Sequence, residues 1–417
     1  MRGTTFIQGN IVASRRSQKQ KNVATSHGAG GSASSNLQIL SLNLLKGNDI
    51  EVYLCYFREH PMFRGGPVAL SAQRLHLNEL IPAGPNTATL QLFPQAYVSF
   101  ATVFFGVHHR ETQITNHGYA MFGTALKQLN QALSEPRCYN DDDVVVSVVT
   151  LALLECWVPS GPKYYLKHMA GVERLLELRG PNLKSLELHK GLRHMILFAS
   201  LSTRKPSILA RKEWKRGLRI NCSDEELQEQ DLHDILADCT ILAVERDDVL
   251  ANCSSDLQTD IPGYDGVEKK ALALLTHLHA LREEWASDRE NSYLEIPADG
   301  DDPPPFLTTF EFSSDFTATR LLSYNSALIH VLRILISLPL DGKDGYIEEE
   351  RSAALDICRC IPYYLVRQSY LDLRTIHLAV VTAWKTLRHR ETADGRWLMD
   401  VLSTKSEDVF AKGLWAN

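Results

Sequence analysis

The sequence predicts an all-α fold, a large multi-helix array built from antiparallel helical hairpins, and three features carry that prediction. From Leu37 onward apolar residues recur at intervals of three and four, the spacing that lines one face of a helix. Pro and Gly cluster between these runs and mark where helices stop. Apolar residues make up 44% and charged residues 23% of the 417 positions, an ordinary balance for a folded chain that buries a core. That length suits two or three average domains or one helical array.

In chain order, a helix is expected from about Asp49 to Glu59, before the break HPMFRGGP, and another from Pro67 to Leu80, before the turn IPAGPN. Gln91 to Val107 is apolar nearly all round and so predicts a helix buried at the centre of the protein. Glu111 to Ser134 repeats Ile114, Tyr119, Phe122, Leu126, Leu129 and Leu133, an amphipathic helix stopped near Pro136. Asp141 to Trp157 and Lys163 to Arg179 follow, separated only by VPSGP, the spacing of an antiparallel helical hairpin. Further helices are predicted at Leu188–Leu201, Asp231–Leu250, Tyr264–Trp285, Ala318–Leu338, Tyr346–Val366, Leu371–Arg388 and Gly395–Leu402, with few convincing strands. The acidic, proline-rich segment from Pro297 to Leu307 is the clearest interior loop and a candidate boundary between two lobes. Two units result, a basic tail at 1–36 and a helical domain at 37–417.

The tail is mostly Ser, Gly, Ala, Gln and Lys, with too little apolar surface to fold, and is expected to be disordered. It holds Arg2, Arg15, Arg16, Lys19 and Lys21 and no acidic residue, so the formal net charge of −6 leaves −11 on the remainder. An acidic body does not neutralise phosphates, which disfavours nucleic-acid binding by the helical domain. Arg15, Arg16, Lys19 and Lys21 are the candidates for a nuclear-import or phosphate-contacting arm. No apolar run approaches the length of a membrane span, and the N-terminus lacks the order of a secretory signal. Eight scattered cysteines, several within apolar helical patterns, fit a reducing compartment.

Motifs for chemistry are weak throughout. HGAGGSAS, from His27 to Ser34, follows no strand and lacks a P-loop lysine. His108, His109, Glu111 and His117 are the densest metal candidate, but adjacent histidines leave a helix in different directions and no H-E-x-x-H occurs. Cys358 and Cys360 have one residue between them, unlike a zinc knuckle or a redox pair. There is no G-x-S-x-G elbow. Asp141, Asp142 and Asp143 open a helix after Asn140, where carboxylates complement the helix dipole. No catalytic residue, metal site or cofactor is expected.

The hairpin is the most informative segment. Val144, Val148, Leu151, Ala152 and Glu155 share a stripe on its first helix, and Tyr165, His168, Val172, Leu175 and Arg179 share one on its second. Both Glu155 and His168 fall within about two turns of the bend, near 5.4 Å per turn, so acid and imidazole are placed to face each other. A buried carboxylate without such a partner costs several kcal/mol. A structural polar pair is the reading, with ligand contact or an acid-base dyad as the alternative. Gly180 is expected to cap the second helix and Pro181 to stop it.

LALLECW followed by YYLKHMAGVERLLELRGP resembles the fungal-specific transcription factor domain, the regulatory region of fungal zinc-cluster transcription factors. YAMFGTALKQLNQALSEP looks like the preceding long helix of that family, and DDDVVVSVVTLALLE like the next. The likeness covers about residues 95–181 and rests on His168, Gly171, Arg179, Gly180 and Pro181; from Leu188 to Asn417 only the helical texture matches. The family's DNA-binding module, six cysteines around two zinc ions, is missing: Cys55 is the first cysteine and Cys138 the next. That puts direct DNA binding in doubt.

The resemblance implies a transcription regulator-like protein without its own zinc cluster, nuclear or shuttling between nucleus and cytoplasm. It implies action through protein contacts with the transcription machinery or with full-length zinc-cluster factors, as a homo- or heterodimer, and an effector pocket. The alternative is a helical ligand-binding or enzymatic protein of fungal secondary metabolism, working through His108, His109 or the Glu155/His168 pair.

Overall fold

The computed structural model describes residues 47–60, 66–76, 80, 91–156, 164–252, 264–287, 293–298, 305–339, 342–367, 373–387 and 392–404. The basic tail, with Arg15, Arg16, Lys19 and Lys21, lies outside the described residues, as does the VPSGP bend. The protein is all-α: among the described residues there are fourteen α-helices and one two-stranded sheet.

Helix α1 (Gly47–Glu59) lies against α3 (Leu92–His108), and the short α2 (Pro67–Ala72) packs on the helices at Asp142–Glu155 and Leu186–Thr203. Where sequence suggested a helix to Leu80, α2 ends at Ala72, and Arg74 and Leu75 donate to carbonyls only three residues back, a tightened last turn. Helix α3 is buried on nearly every side through Phe93, Tyr97, Phe100 and Phe104. It crosses α4 (Thr112–Ser134) at two glycines. A methyl group on Gly106 would lie 2.6 Å from the Thr115 nitrogen, and one on Gly118 2.8 Å from the Val103 nitrogen, so this close approach demands glycine on both helices.

Helices α5 (Asp142–Glu155) and α6 (Tyr165–Arg179) form the predicted hairpin. Asp141 caps α5 by accepting from the Asp143 nitrogen at 2.9 Å, while Asp142 and Asp143 occupy its first turn. Gly180, with φ of 72°, terminates α6 in a conformation that glycine adopts freely. Helix α7 (Leu186–Thr203) packs on α6 and on α9 (Asp224–Asn252). The latter opens with a capping box: Ser223 Oγ accepts from the Glu226 nitrogen at 3.2 Å, and Glu226 returns by accepting from the Ser223 nitrogen at 2.9 Å. Between them lies α8 (Lys212–Leu218), which the sequence did not announce; only Trp214 and Leu218, one turn apart, face inward.

Helix α10 (Tyr264–Ser287) leads to strands β1 (Tyr293–Pro297) and β2 (Thr308–Phe312), paired antiparallel with Tyr293 opposite Phe312 and Pro297 opposite Thr308. The acidic, proline-rich segment thus connects two hydrogen-bonded strands. Arg359 fixes this hairpin to α12 (Asp344–Arg367), its guanidinium 4.0 Å from the centre of the Phe310 ring and 2.6 Å from Glu295. Helix α11 (Asp315–Ser337), capped by Ser314, is the axis of the C-terminal half and touches α9, α10, α12 and α13 (Leu373–Thr386); α14 (Ala393–Thr404) closes against α12. Contacts of α9 with α11 and of α7 with α13 make the core continuous across residues 297–307.

Candidate functional site

The α5/α6 hairpin brings its two polar residues together. Glu155 Oε1 lies 2.9 Å from His168 Nε2, with 3% and 4% of the side chains exposed. The approach is that of an ion pair without hydrogen-bond alignment, and Glu155 Oε2 has no partner of its own. Leu151 on α5 and Tyr165 and Val172 on α6 are buried as well, so the pair ties two helices together within packed faces. Gly171 follows within α6, one turn on.

At the other end of the hairpin the Arg179 guanidinium, 1% exposed, donates to the Tyr139 carbonyl and to Asp142 Oδ1, and lies 3.3 Å from Ser185 Oγ. Ser185 in turn donates to Asp142 at 2.8 Å. One side chain therefore binds the start of α5, the end of α6 and the turn into α7. Pro181 seats against Gly217 of α8, where a methyl group would stand 2.9 Å from its Cβ. Beside it an apolar cavity of about 220 Å3 opens between Leu186, His189, Trp214, Leu218 and Ile220.

A second cavity, of about 170 Å3 and open to solvent, lies between the C-terminal turns of α7, the middle of α9, and facing segments of α11 and α13. Its walls carry Arg204, Arg246, Arg333 and Lys385 and no carboxylate. Arg246 is held by Asp247 at 2.5 Å, Arg204 lies 3.7 Å from the same carboxylate and Arg333 is held by Glu350 at 2.8 Å, but Lys385 has no acidic partner among the described residues. Burial pushes the Lys385 amine below its ordinary value, and Arg333 and Arg204 add to the shift by repulsion. Ser200 Oγ, in the same wall, is buried and unpartnered. A positive cavity with an unsatisfied hydroxyl is suited to bind a small anion through charge-assisted hydrogen bonds.

Three imidazoles are held neutral. Burial depresses His189 to about 4, aided by repulsion from Arg179; it depresses His330 to about 3, aided by Arg333 and Lys385; and it depresses His377 to about 3. An unfolded chain takes up these protons near pH 6.5, so stability is full above that value and is lost as pH falls toward the folded values. The urea midpoint is expected to decline between about pH 7 and about pH 4.5. The variant His189→Gln should decline less steeply, and identical slopes would contradict this account.

Histidines at the α3 terminus do not converge on a metal. His108 Nδ1 is 3.0 Å from the Tyr56 phenol oxygen, whereas His109 Nδ1 is 3.0 Å from the Phe105 carbonyl. Among the described residues the ligating side chains that do converge are His194, Glu229 and His233, across α7 and α9. Sequence reading passed over them, although Glu229 and His233 are one helical turn apart. Cys358 and Cys360 are buried on α12, and burial raises both thiols, which disfavours the reactive thiolate. The cavity cations left no local signal, because they come from four helices far apart in sequence.

No family model matches the chain. No solved structure matches it. An uncharacterized protein of Emericella nidulans, AN5342, is 25% identical over 171 residues, 40% of this chain and 37% of that protein. The chain therefore covers well under two thirds of that relative.

Proposed function

We propose that this chain is a helical regulatory domain of the fungal zinc-cluster transcription factor type, lacking its own zinc cluster and acting through protein contacts. Its effector site is the cavity between α7, α9, α11 and α13, and the effector is a small anion. The carrying observation is that this cavity is walled by Arg204, Arg246, Arg333 and Lys385 without a carboxylate. Four separate helices meet there, so an anion that bridges them draws the helices together and changes the surface they present. The hairpin pair and the Arg179 cluster support the reading differently: both are tied into packing, consistent with scaffold rather than catalysis.

Partners on this reading are the transcription machinery or full-length zinc-cluster factors, and the working compartment is the nucleus. The test is transcriptional output from the full chain tethered to an unrelated DNA-binding module, compared with its Lys385→Glu variant. That substitution introduces a carboxylate into the wall of the anion site.

A further inference from the structure

Helix α9 places Glu229 and His233 on one face, a single turn apart, and α7 brings His194 against them. Both imidazoles are buried, with 4% and 2% of the residues exposed for His194 and His233. Their Nε2 atoms are 2.8 Å apart. Glu229 Oε1 lies 3.7 Å from the first and 4.0 Å from the second. Three points with those separations lie on a circle of radius about 2.1 Å, and its centre falls inside the triangle; zinc–imidazole and zinc–carboxylate bonds are also about 2.0–2.2 Å. The donors are therefore already spaced around a point that a metal ion can occupy.

The outer contacts agree with that arrangement. His233 Nδ1 is 2.7 Å from the Glu229 carbonyl oxygen, which can only accept, so the proton sits on Nδ1 and Nε2 presents its lone pair to the centre. Arg193 Nη2 holds Glu229 Oε1 at 2.8 Å, and Arg193 Nη1 donates to Gln230 at 3.1 Å, fixing the carboxylate. The Glu229 side chain retains 17% exposure, a route for water to a fourth ligand position.

We propose that His194, Glu229 and His233 bind a transition-metal dication, zinc by ligand type, as a clamp between α7 and α9. Two imidazoles and a carboxylate select zinc, cobalt or nickel over calcium or magnesium, which require a shell of oxygens. The neighbouring Arg193 cation opposes the metal's charge, so the clamp is reversible rather than permanent. This inference does not depend on the regulatory reading.

The test uses the full chain, stripped with a chelator and titrated with zinc or cobalt. One equivalent of zinc is expected to raise the melting temperature in a concentration-dependent manner, and cobalt to give the intense visible absorption of a four-coordinate site. Glu229→Gln, which keeps the shape and the Arg193 hydrogen bond, and His194→Gln should each weaken zinc by more than the about 10–100-fold that loss of an outer partner costs. A chain that melts at the same temperature with and without zinc and leaves cobalt six-coordinate would overturn the proposal, leaving His194 and His233 as a buried hydrogen bond. Equal zinc affinity in the wild type and in folded Glu229→Gln would also overturn it, by placing the metal elsewhere.

Discussion

Replacing His168 with Ala is expected to destabilise the protein by about 3–5 kcal/mol. The magnitude follows from what remains: Glu155, 3% exposed, loses the imidazole at 2.9 Å and already has one oxygen without a partner. A buried carboxylate stripped of its counterpart either pays its desolvation in full or takes up a proton. Chemical denaturation of the single variants and of the pair Glu155→Leu/His168→Leu separates the pair from its parts. The double apolar variant should recover most of the loss, because removing both polar groups leaves nothing buried and unsatisfied. A loss in His168→Ala below about 0.5 kcal/mol, the range of ordinary surface changes, would contradict a structural pair.

Arg179→Ala should cost about 2–4 kcal/mol, less than the largest buried pairs because Asp142 keeps 33% exposure and its bond from Ser185. The loss is spread over three elements, since the one guanidinium serves the Tyr139 carbonyl, Asp142 and Ser185. Arg179→Lys is expected to recover little, because an ammonium lacks the planar fork that reaches several acceptors together. Thermal melts of the two variants check this, and a lysine variant as stable as wild type would show that charge alone suffices.

Much of the fold was legible because its helices announce themselves locally. The boundaries at Ser134, Arg179 and Tyr264 follow from Pro136, from Gly180 with Pro181, and from the restart of apolar periodicity. The placement of Glu155 beside His168 was legible for the same reason: a short bend fixes which stripes of two helices can meet. Strands β1 and β2 were not legible, because five residues flanking a proline-rich segment offer too short an alternation, and β1 is exposed at four of its five positions. Helix α8 escaped notice because Trp214 and Leu218 alone face the core within a strongly basic stretch. Neither the cavity nor the His194–His233 contact had a local signature; each depends on how helices separated by tens of residues stack.

The regulatory reading turns on whether this chain changes transcription when brought to a promoter, and whether the α7/α9/α11/α13 cavity controls that change. Reporter output from the full chain tethered to an unrelated DNA-binding module is the direct measurement. The account predicts that output departs from that of the module alone and that Lys385→Glu, expressed to the same level, alters the departure. Output equal to that of the module alone, from a folded and nuclear fusion, would contradict it.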